Sequence, residues 1–517
     1  MKDLPIGIQS FKKIREQNFY YVDKTPFVKK LERGGYYVLS RPRRFGKSLF
    51  LDTLKEAFSG NKELFHGLFL YDNWNWNKKH PVIKISFAGG NFTTPENLKI
   101  KIHENFLNLQ REFKVNLTYP SYSGKLSELI YLLYEKYNER VVVLVDEYDS
   151  PILDAIENID YAKENRQILK DFYSILKDSD PYIQLVFLTG VSRFSKVSIF
   201  SGLNQLRDIT ISEEFSTICG YTQNDLETVF ADRLKDFDKE EIKRWYNGYS
   251  WLGEKVYNPF DILLLFAEKE FKPYWLETGT PTFLIKLFKQ NKYYLPNIEN
   301  LEVGEELLSN LDIDNIYPEN ILFQTGYLTI KDVEENLYKK TYILSYPNYE
   351  VKTSFNRYFL FYLTPSFVLK DKTENALIKA IKNNQIEKLQ EILHTFFASI
   401  PYDWYRKNDL ESYEGFYASI VYALFNGAGF DVVAEDTTNR GRIDLTITYN
   451  NNAYIIEFKV VEDQPEKSAL QQIEEKKYHE KYVGKYEEIC LIGIEFSKKE
   501  RNIVDFEWKK IEDMKIT

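Results

Sequence analysis

An α/β domain with a mostly parallel sheet, a helical accessory region and a C-terminal α+β domain are what this sequence of 517 residues predicts. Three observations carry the prediction. Residues 30–215 alternate short apolar runs with helical stretches, as strands buried on both faces of a parallel sheet do. Residues 221–375 are aromatic-rich and helical in pattern, without clean strand alternation. From about residue 376, amphipathic helices precede three strand-like runs, a charged helix and a last apolar strand. The length exceeds one ordinary core, so two or three domains are expected, and the pattern places them over 1–220, 221–375 and 376–517.

The elements follow in chain order. "YYVLS" (36–40) reads as a short strand, and from Ser48 the apolar residues Leu49, Phe50, Leu54 and Phe58 recur at helical spacing until Gly60. "VIKISF" (82–87), "VVVLV" (141–145) and "IQLVFLT" (183–189) are the other strands of the first sheet, with a helix over 162–177 before the last. In the C-terminal domain, helices are expected over 376–399 and 413–426. The strand runs there are "FDVVAED", "RIDLTITY" and "AYIIEFKV", followed by a helix over 466–483 and the strand "EICLIGIEF". No repeat or low-complexity tract breaks this order.

The first strand runs into "RPRRFGKS". Gly46, Lys47 and Ser48 fill the last three places of a phosphate-binding loop, G-x-x-x-x-G-K-[ST], but Arg41 stands where the leading glycine belongs. A turn that opens a helix aims backbone N–H groups at an anion; Lys47 adds a point charge and Ser48 a hydroxyl for Mg²⁺. On its own, GKS serves equally well as a capped helix start. The second clue is "VVVLVDEYDSP": ligands bind at the carboxyl ends of strands in open α/β sheets, and here that end carries Asp146 and Glu147. Asp146 suits the Mg²⁺ shell, and Glu147 can polarise a water for attack on a γ-phosphate. Thr189 can sense that phosphate through its hydroxyl, or simply end a strand. Arg193 can stabilise transition-state charge in cis or in trans, or be a surface loop residue, and Arg43 and Arg44 can touch phosphates or remain solvated.

A second constellation lies in the C-terminal domain: Glu414 on a helix, Asp444, and then Glu457-Phe458-Lys459. Alternation puts Glu457 and Lys459 on one face of their strand. A two-residue turn at Asn450-Asn451 sets Asp444 opposite Glu457, whereas a three-residue loop opposes it to Phe458 and splits the carboxylates between faces. Two such carboxylates need a cation between them and together make a hard-oxygen Mg²⁺ or Mn²⁺ site. Lys459 beside them can orient a water or neutralise developing phosphorane charge. The competing reading is an ordinary charged face on a hairpin. In the flanks, Gly441 suits a tight approach, and Arg440 and Arg442 add local positive charge. In the following helix Gln472, Lys476 and Lys477 can reach a phosphate backbone.

The totals limit the function. A net charge of −9 gives no bulk attraction to nucleic acid, so such a partner must be met by local basic patches. Two cysteines and five histidines supply neither a disulfide framework nor a zinc site. "MKDLPIGIQSF" has no apolar signal core, and the longest apolar runs fall far short of the roughly 20 residues that span a bilayer, so a soluble, cytoplasmic protein with no membrane partner is expected.

Over nearly its full length the chain resembles a bacterial family in which an AAA-ATPase-like P-loop NTPase domain is joined to a C-terminal PD-(D/E)XK nuclease-superfamily domain of restriction-endonuclease-like fold. The N-terminal resemblance runs through "LPIGIQSFKKIRE", "YYVDKT", "SRPRRFGKSL", "VVVLVDEYDSP", "LTGVSRFSKVSIFSGLN" and "WYNGYSW…VYNP". The C-terminal one runs through "YEGFYASIVYALF", "GRIDL", "YIIEFKV" and "ALQQIEEKKY". The family's loop is itself written RPRRFGKS, which makes Arg41 a family trait. The resemblance implies that Asp444, Glu457 and Lys459 are the nuclease signature. It also implies Glu414 as the helix carboxylate and Gln472 and Tyr478 as accessory helix positions. Gln472 and Tyr478 are six positions apart and do not share a helix face, whereas Gln471 and Tyr478 do, so which glutamine faces the site stays open. The expected activity is ATP hydrolysis with Mg²⁺, coupled to a Mg²⁺- or Mn²⁺-dependent nuclease acting on nucleic acid, DNA first. The alternative is an NTP-switched interaction or DNA-binding protein that no longer cuts. A nucleotide-dependent homo-oligomer, with Arg193 from a neighbour completing the site, is a further expectation.

Overall fold

The computed structural model describes residues 1–193, 199–200, 203–275, 294–309, 311, 313, 316–364, 366–401 and 414–511. The chain forms two units, Met1–Trp275 with Asn300–Asn348, and Leu276–Glu299 with Tyr349–Thr517. Parts of "LTGVSRFSKVSIFSGLN" and Tyr413, the first residue of an expected helix, lie outside the described residues.

The first unit is built on β1 (Gly35–Ser40), β2 (Val82–Ser86), β3 (Val141–Asp146), β4 (Ile183–Gly190) and β5 (Arg207–Asp208), in the order β2-β3-β4-β1-β5 and parallel throughout. All six residues of β3 are buried, as expected of an apolar strand covered on both faces. Helices α1 (Lys47–Phe58), α2 (Pro95–Phe113), α3 (Tyr122–Tyr137) and α4 (Ile159–Asp178) cover the sheet; α2 buries Leu98, Ile102, Phe106, Leu109 and Phe113, one apolar stripe at helical spacing. The pairing Leu39↔Thr189 and Ser40↔Gly190 aligns the ends of β1 and β4, while Ser86↔Asp146 aligns β2 with β3. The carboxyl ends of the central strands therefore form one crest.

Arg41, at the start of the phosphate loop, is 1% exposed. Its guanidinium donates to the carbonyls of Ser40, Thr210 and Phe215 at 2.9, 2.7 and 3.2 Å, and stacks over Trp251 at 4.0 Å. Burial lowers its pKa to about 10, still far above neutrality. The residue that replaces the expected glycine is thus an internal strut.

The segment after the first sheet is mainly helical, with Tyr20 and Val22 packed into its core beside Phe230, Tyr246, Tyr257 and Phe266. It also carries a hairpin, β6 (Asn247–Tyr249) with β7 (Val256–Tyr257). A small antiparallel sheet of β8 (Leu301–Gly304), β10 (Lys339–Ser345) and β9 (Thr329–Asn336) follows. Only the first two residues of β9 are buried, and the rest, "KDVEEN", is polar but for Val333, which is why no alternation betrays it.

The second unit holds a mixed sheet in the order β11-β12-β13-β14-β15: β11 (Asp431–Thr437), β12 (Arg442–Tyr449), β13 (Asn452–Val461), β14 (Glu488–Ser497) and β15 (Asn502–Ile511). All neighbours are antiparallel except β13 and β14. The crossover between those two contains α6 (Ser468–Lys476); α5 (Glu414–Gly427) packs on the sheet with its central residues buried. Among the described residues, no helix is long and apolar enough to cross a membrane.

Replacing Arg41 by glycine, the usual first residue of such a loop, removes a donor from each of three buried carbonyls, of which that of Phe215 keeps the Ile218 N–H. We expect a loss of roughly 3 kcal/mol, read as a lower midpoint in thermal unfolding followed by tryptophan fluorescence. An unchanged midpoint would remove the strut.

Candidate functional site

The loop between β1 and α1 turns through two left-handed residues, Arg44 (φ 78) and Gly46 (φ 93), so the helix starts at Lys47 with Ser48 in its first turn. Lys47 is buried and its ammonium donates to the carbonyls of Arg41 and Pro42, both at 2.9 Å. Burial lowers its pKa, while Cys219, Asp146, Asp149 and Glu147 act in the opposite sense. The lysine, GKS and the acids at the end of β3 therefore share one neighbourhood, which sequence spacing alone did not establish. Arg44 stacks over Phe260 at 3.9 Å, and Arg43 is exposed, with Asp154 within electrostatic reach.

At the crest, Thr189 Oγ1 donates to Asp146 Oδ1 at 2.8 Å. Thr189 thus orients the acid. Glu147 adopts φ 54, rare for a residue with a side chain, and receives a hydrogen bond from Ser150 Oγ at 3.3 Å. The guanidinium of Arg193 is paired with Asp208 at the end of β5, and its backbone N–H donates to Gln324 Oε1 at 3.0 Å. It is committed within its own unit.

One residue here escaped sequence reasoning. Asp149 is fully buried; its Oδ2 accepts from the backbone N–H groups of Val191, at 2.9 Å, and Ser192, and its Oδ1 has no partner among the described residues. Burial raises its pKa to about 6, with Lys47 pulling the other way. It ties the β3 end to the exit of β4. The only sequence signal was a third acid in "DEYD", which is common in a turn.

In the second unit, Asn450 and Asn451 make a two-residue turn with Asn450 at φ 51, and the ladder runs from Tyr449↔Asn452 to Leu445↔Ile456. Beyond it, the Phe458 N–H donates to Asp444 Oδ2 at 2.7 Å. This is the even register the chemistry requires. Glu457 is 2% exposed; one oxygen lies 3.8 Å from Lys459 Nζ and accepts from Gln472 Nε2, and the other, Oε2, has no partner among the described residues.

Gln472 reaches Glu457 for a reason visible in the sheet. Glu457 is paired with Gly493 on β14, and a Cβ at 493 would sit 2.3 Å from the Leu470 nitrogen, so only glycine lets α6 lie this close. Gln471 instead bonds Glu475 on the exposed side. The helix stops at Lys476, Lys477 turns left-handed (φ 49), and Tyr478 begins a separate 3₁₀ turn. That break resets the face and brings Tyr478, buried, into contact with Gln472 despite the six-residue spacing. The Tyr478 hydroxyl also occupies the space a side chain at Gly441 would need.

Burial pushes the Asp444 carboxyl up to about 7, with Glu414 and Glu435 adding to the rise and the Phe458 N–H and Lys459 opposing it. Glu457 is pushed up to about 8 by burial and by Asp444. Glu414, at the start of α5, is raised by burial and eased by Lys459 and the Val460 N–H. Glu435 was also missed by sequence reasoning. It lies on β11 between Ala434↔Leu445 and Asp436↔Ile443, opposite Asp444, at φ 49, and it pairs with Arg442 at 3.2 Å. Among the described residues no three acidic, histidine or cysteine side chains converge on one point tightly enough to hold an ion as they stand. The residues nonetheless fit a divalent cation: two desolvated, mutually repelling carboxylates with an orphaned oxygen lack positive charge, and such ions take most remaining ligands from water and phosphate.

Residues 5–200 match the family model described as a predicted AAA-ATPase, and residues 412–506 match that of the PD-(D/E)XK nuclease superfamily. An uncharacterized protein in the vnfD 5′ region of Azotobacter chroococcum mcd 1 is 48% identical over 507 residues, which cover 98% of each chain. ATPase-like and PD-(D/E)XK proteins generally use nucleotides and divalent metal ions. With strand-end acids facing a GKS loop in one unit and a Glu-x-Lys strand beside Asp444 in the other, this chain belongs to the family that joins a predicted AAA-ATPase domain to a PD-(D/E)XK nuclease-superfamily domain.

Proposed function

We propose that the protein binds and hydrolyses ATP in its N-terminal domain and cuts phosphodiester bonds of nucleic acid, DNA foremost, in its C-terminal domain. The observation that carries the cutting half is the buried, partnerless Oε2 of Glu457 beside Asp444 and Lys459. Asp444 and Glu457 would hold Mg²⁺ or Mn²⁺, with Glu414 near the site; the ion would supply Lewis-acid chemistry there. Gln472 fixes the rotamer of Glu457, and Lys459 carries positive charge to the place where phosphorane charge develops. Arg442, mostly exposed, is the contact for the substrate backbone, whereas Tyr478, buried, positions Gln472.

In the ATP half, Lys47 exchanges two loop carbonyls for phosphate oxygens, with the α1 N–H groups, Arg43 and Arg44 around them. Ser48 and Asp146, the latter oriented by Thr189, would hold Mg²⁺, and the ion would supply positive charge against the phosphates. Glu147 takes the proton of the attacking water. Arg193 would have to leave Asp208 to serve the same phosphate.

Incubated with single- and double-stranded DNA and RNA plus Mn²⁺, the wild type should cleave, and Asp444→Asn and Lys459→Ala should each lose about 10²–10⁴-fold in rate. Cleavage equal in the variants removes the nuclease assignment. ATP bound and turned over without any cutting by the wild type leaves an NTP-switched binding protein instead. Glu147→Gln should slow ATP turnover by about 10²-fold or more while ATP binding persists; unchanged turnover excludes Glu147 as the base.

The raised carboxyls give a third test. A carboxyl raised in the folded state binds its proton more tightly there than in the unfolded chain, so stability falls as pH rises from the unfolded value near 4 to the folded values of about 7 and about 8, and then levels off. In metal-free protein, Asp444→Asn should therefore raise the unfolding temperature at pH 8.5 and have little effect at pH 4. Equal effects at both would refute the electrostatic strain.

A further inference from the structure

The strand "EICLIGIEF" carries an acid inside it that neither half of the mechanism uses. Glu495 is 1% exposed. Its Oε2 accepts from the Glu466 N–H at 2.7 Å. Its Oε1 accepts from the Ser468 N–H at 2.6 Å, the Ser468 hydroxyl at 3.0 Å and the Ala469 N–H at 3.4 Å. Burial opposes its charge, but the N–H groups of Glu466 and Ser468 outweigh burial and hold the carboxyl below its ordinary range. Ser468 and Ala469 open α6, and the first N–H groups of a helix have no partner within it.

A cap usually comes from the helix's own chain. In that place stands Lys467, left-handed at φ 57, whose side chain makes no capping bond. The carboxylate comes from β14 instead, and this changes what the cap does. A local cap moves with its helix, whereas Glu495 ties the start of α6 to a fixed point of the sheet. The register sets Glu495 beside Lys459 and Gly493 beside Glu457, and alternation puts 493 and 495 on one face. Two residues of strand, from Glu495 back to Gly493, span about 7 Å, and four residues of helix, from Ser468 to Gln472, rise about 6 Å. Capping at Ser468 therefore brings Gln472 level with Glu457, whose Oε1 it bonds. Between the two ends, Gly493 leaves room for the Leu470 backbone, and Ala469 and Ile473 are buried.

We infer that Glu495 is a positioning residue for the nuclease site. By anchoring α6 to β14 it sets the place of Gln472, and through Gln472 the orientation in which Glu457 presents its partnerless Oε2 to a divalent ion. The inference rests on the metal-binding part of the nuclease reading above. Outer partners of a metal ligand fix its orientation, and their loss typically costs about 10–100-fold in metal affinity or activity. Glutamine at position 495 keeps the shape but turns an NH₂ donor toward N–H donors, so the tie is lost at one end.

The test uses the full chain and follows the Mn²⁺ binding that Asp444→Asn abolishes, which separates this ion from any bound elsewhere. In calorimetry, Glu495→Gln should weaken that binding by about tenfold, and so should Gln472→Ala. The double variant should stay within about twofold of either single one, because both act through one contact. With a DNA that the wild type cuts, the Mn²⁺ concentration for half-maximal cleavage should rise by the same factor in Glu495→Gln. Excess Mn²⁺ should then restore the rate, which general damage to the fold would not allow. Unchanged Mn²⁺ binding in Glu495→Gln overturns the positioning role and leaves the nuclease reading standing. Losses that multiply to about 100-fold in the double variant overturn it too. Should Glu495→Gln not fold, hydrogen exchange in the wild type decides. Mn²⁺ should slow exchange of the amides of residues 468–473, and unchanged exchange there overturns the tie. Mn²⁺ bound at this site without cleavage removes the cutting alone, since the calorimetry stands without it; no Mn²⁺ bound there removes the metal reading and this role together.

Discussion

Two asparagines decide whether the C-terminal site exists. Side chains in a strand alternate with period two, so one residue more or less between β12 and β13 would turn Asp444 away from Glu457. The turn at Asn450–Asn451 keeps the even count, and asparagine tolerates the left-handed φ of 51 that such a turn needs. The other contacts depend on it. The Phe458 N–H closes on Asp444, the parallel neighbour β14 sets Gly493 beside Glu457, and the missing side chain at 493 admits α6 with Gln472.

Both units keep buried charge short of its natural partner, with opposite signs. In the first, Lys47 is held by two carbonyl oxygens of its own loop, dipoles where an ammonium is best met by an anion. In the second, Glu457 and Asp444 are desolvated against each other with one lysine between the pair and solvent. Isolated buried charges are costly, and they persist in folds where something outside the chain completes them.

Much of this was legible in the sequence, because strands buried on both faces are continuous apolar runs, as β3 and β4 are. The hairpin register was legible too, since a turn of fixed length leaves one arithmetic. What stayed hidden depends on contacts across the sequence. Arg41 reads as a damaged loop until Thr210, Phe215 and Trp251 are seen around it. The choice between Gln471 and Gln472 was undecidable by helical periodicity, because the helix ends at Lys476 and periodicity ends with it. Asp149 and Glu435 were invisible for a related reason: an acid in a turn or in a polar strand is ordinary, and only burial and an opposing strand make these two unusual. Thr189 reads from sequence as a phosphate sensor or a strand end, and its hydroxyl is on Asp146.

The replacement of glycine by Arg41 changes how the loop is controlled. A leading glycine gives such a loop freedom at its first residue; here that residue is fixed, and the turning is done later by Arg44 and Gly46. The strut has a second consequence. It grips the carbonyl of Phe215 and the ring of Trp251, and between those two points in sequence lies Ile218–Tyr221, the wall of a cleft that Gly46 of the loop also lines. Gly220 returns to the loop by its bond to Phe45. Loop and wall are therefore braced from both sides, so a ligand that draws Lys47 off the carbonyls of Arg41 and Pro42 acts on the residue that holds the wall in place.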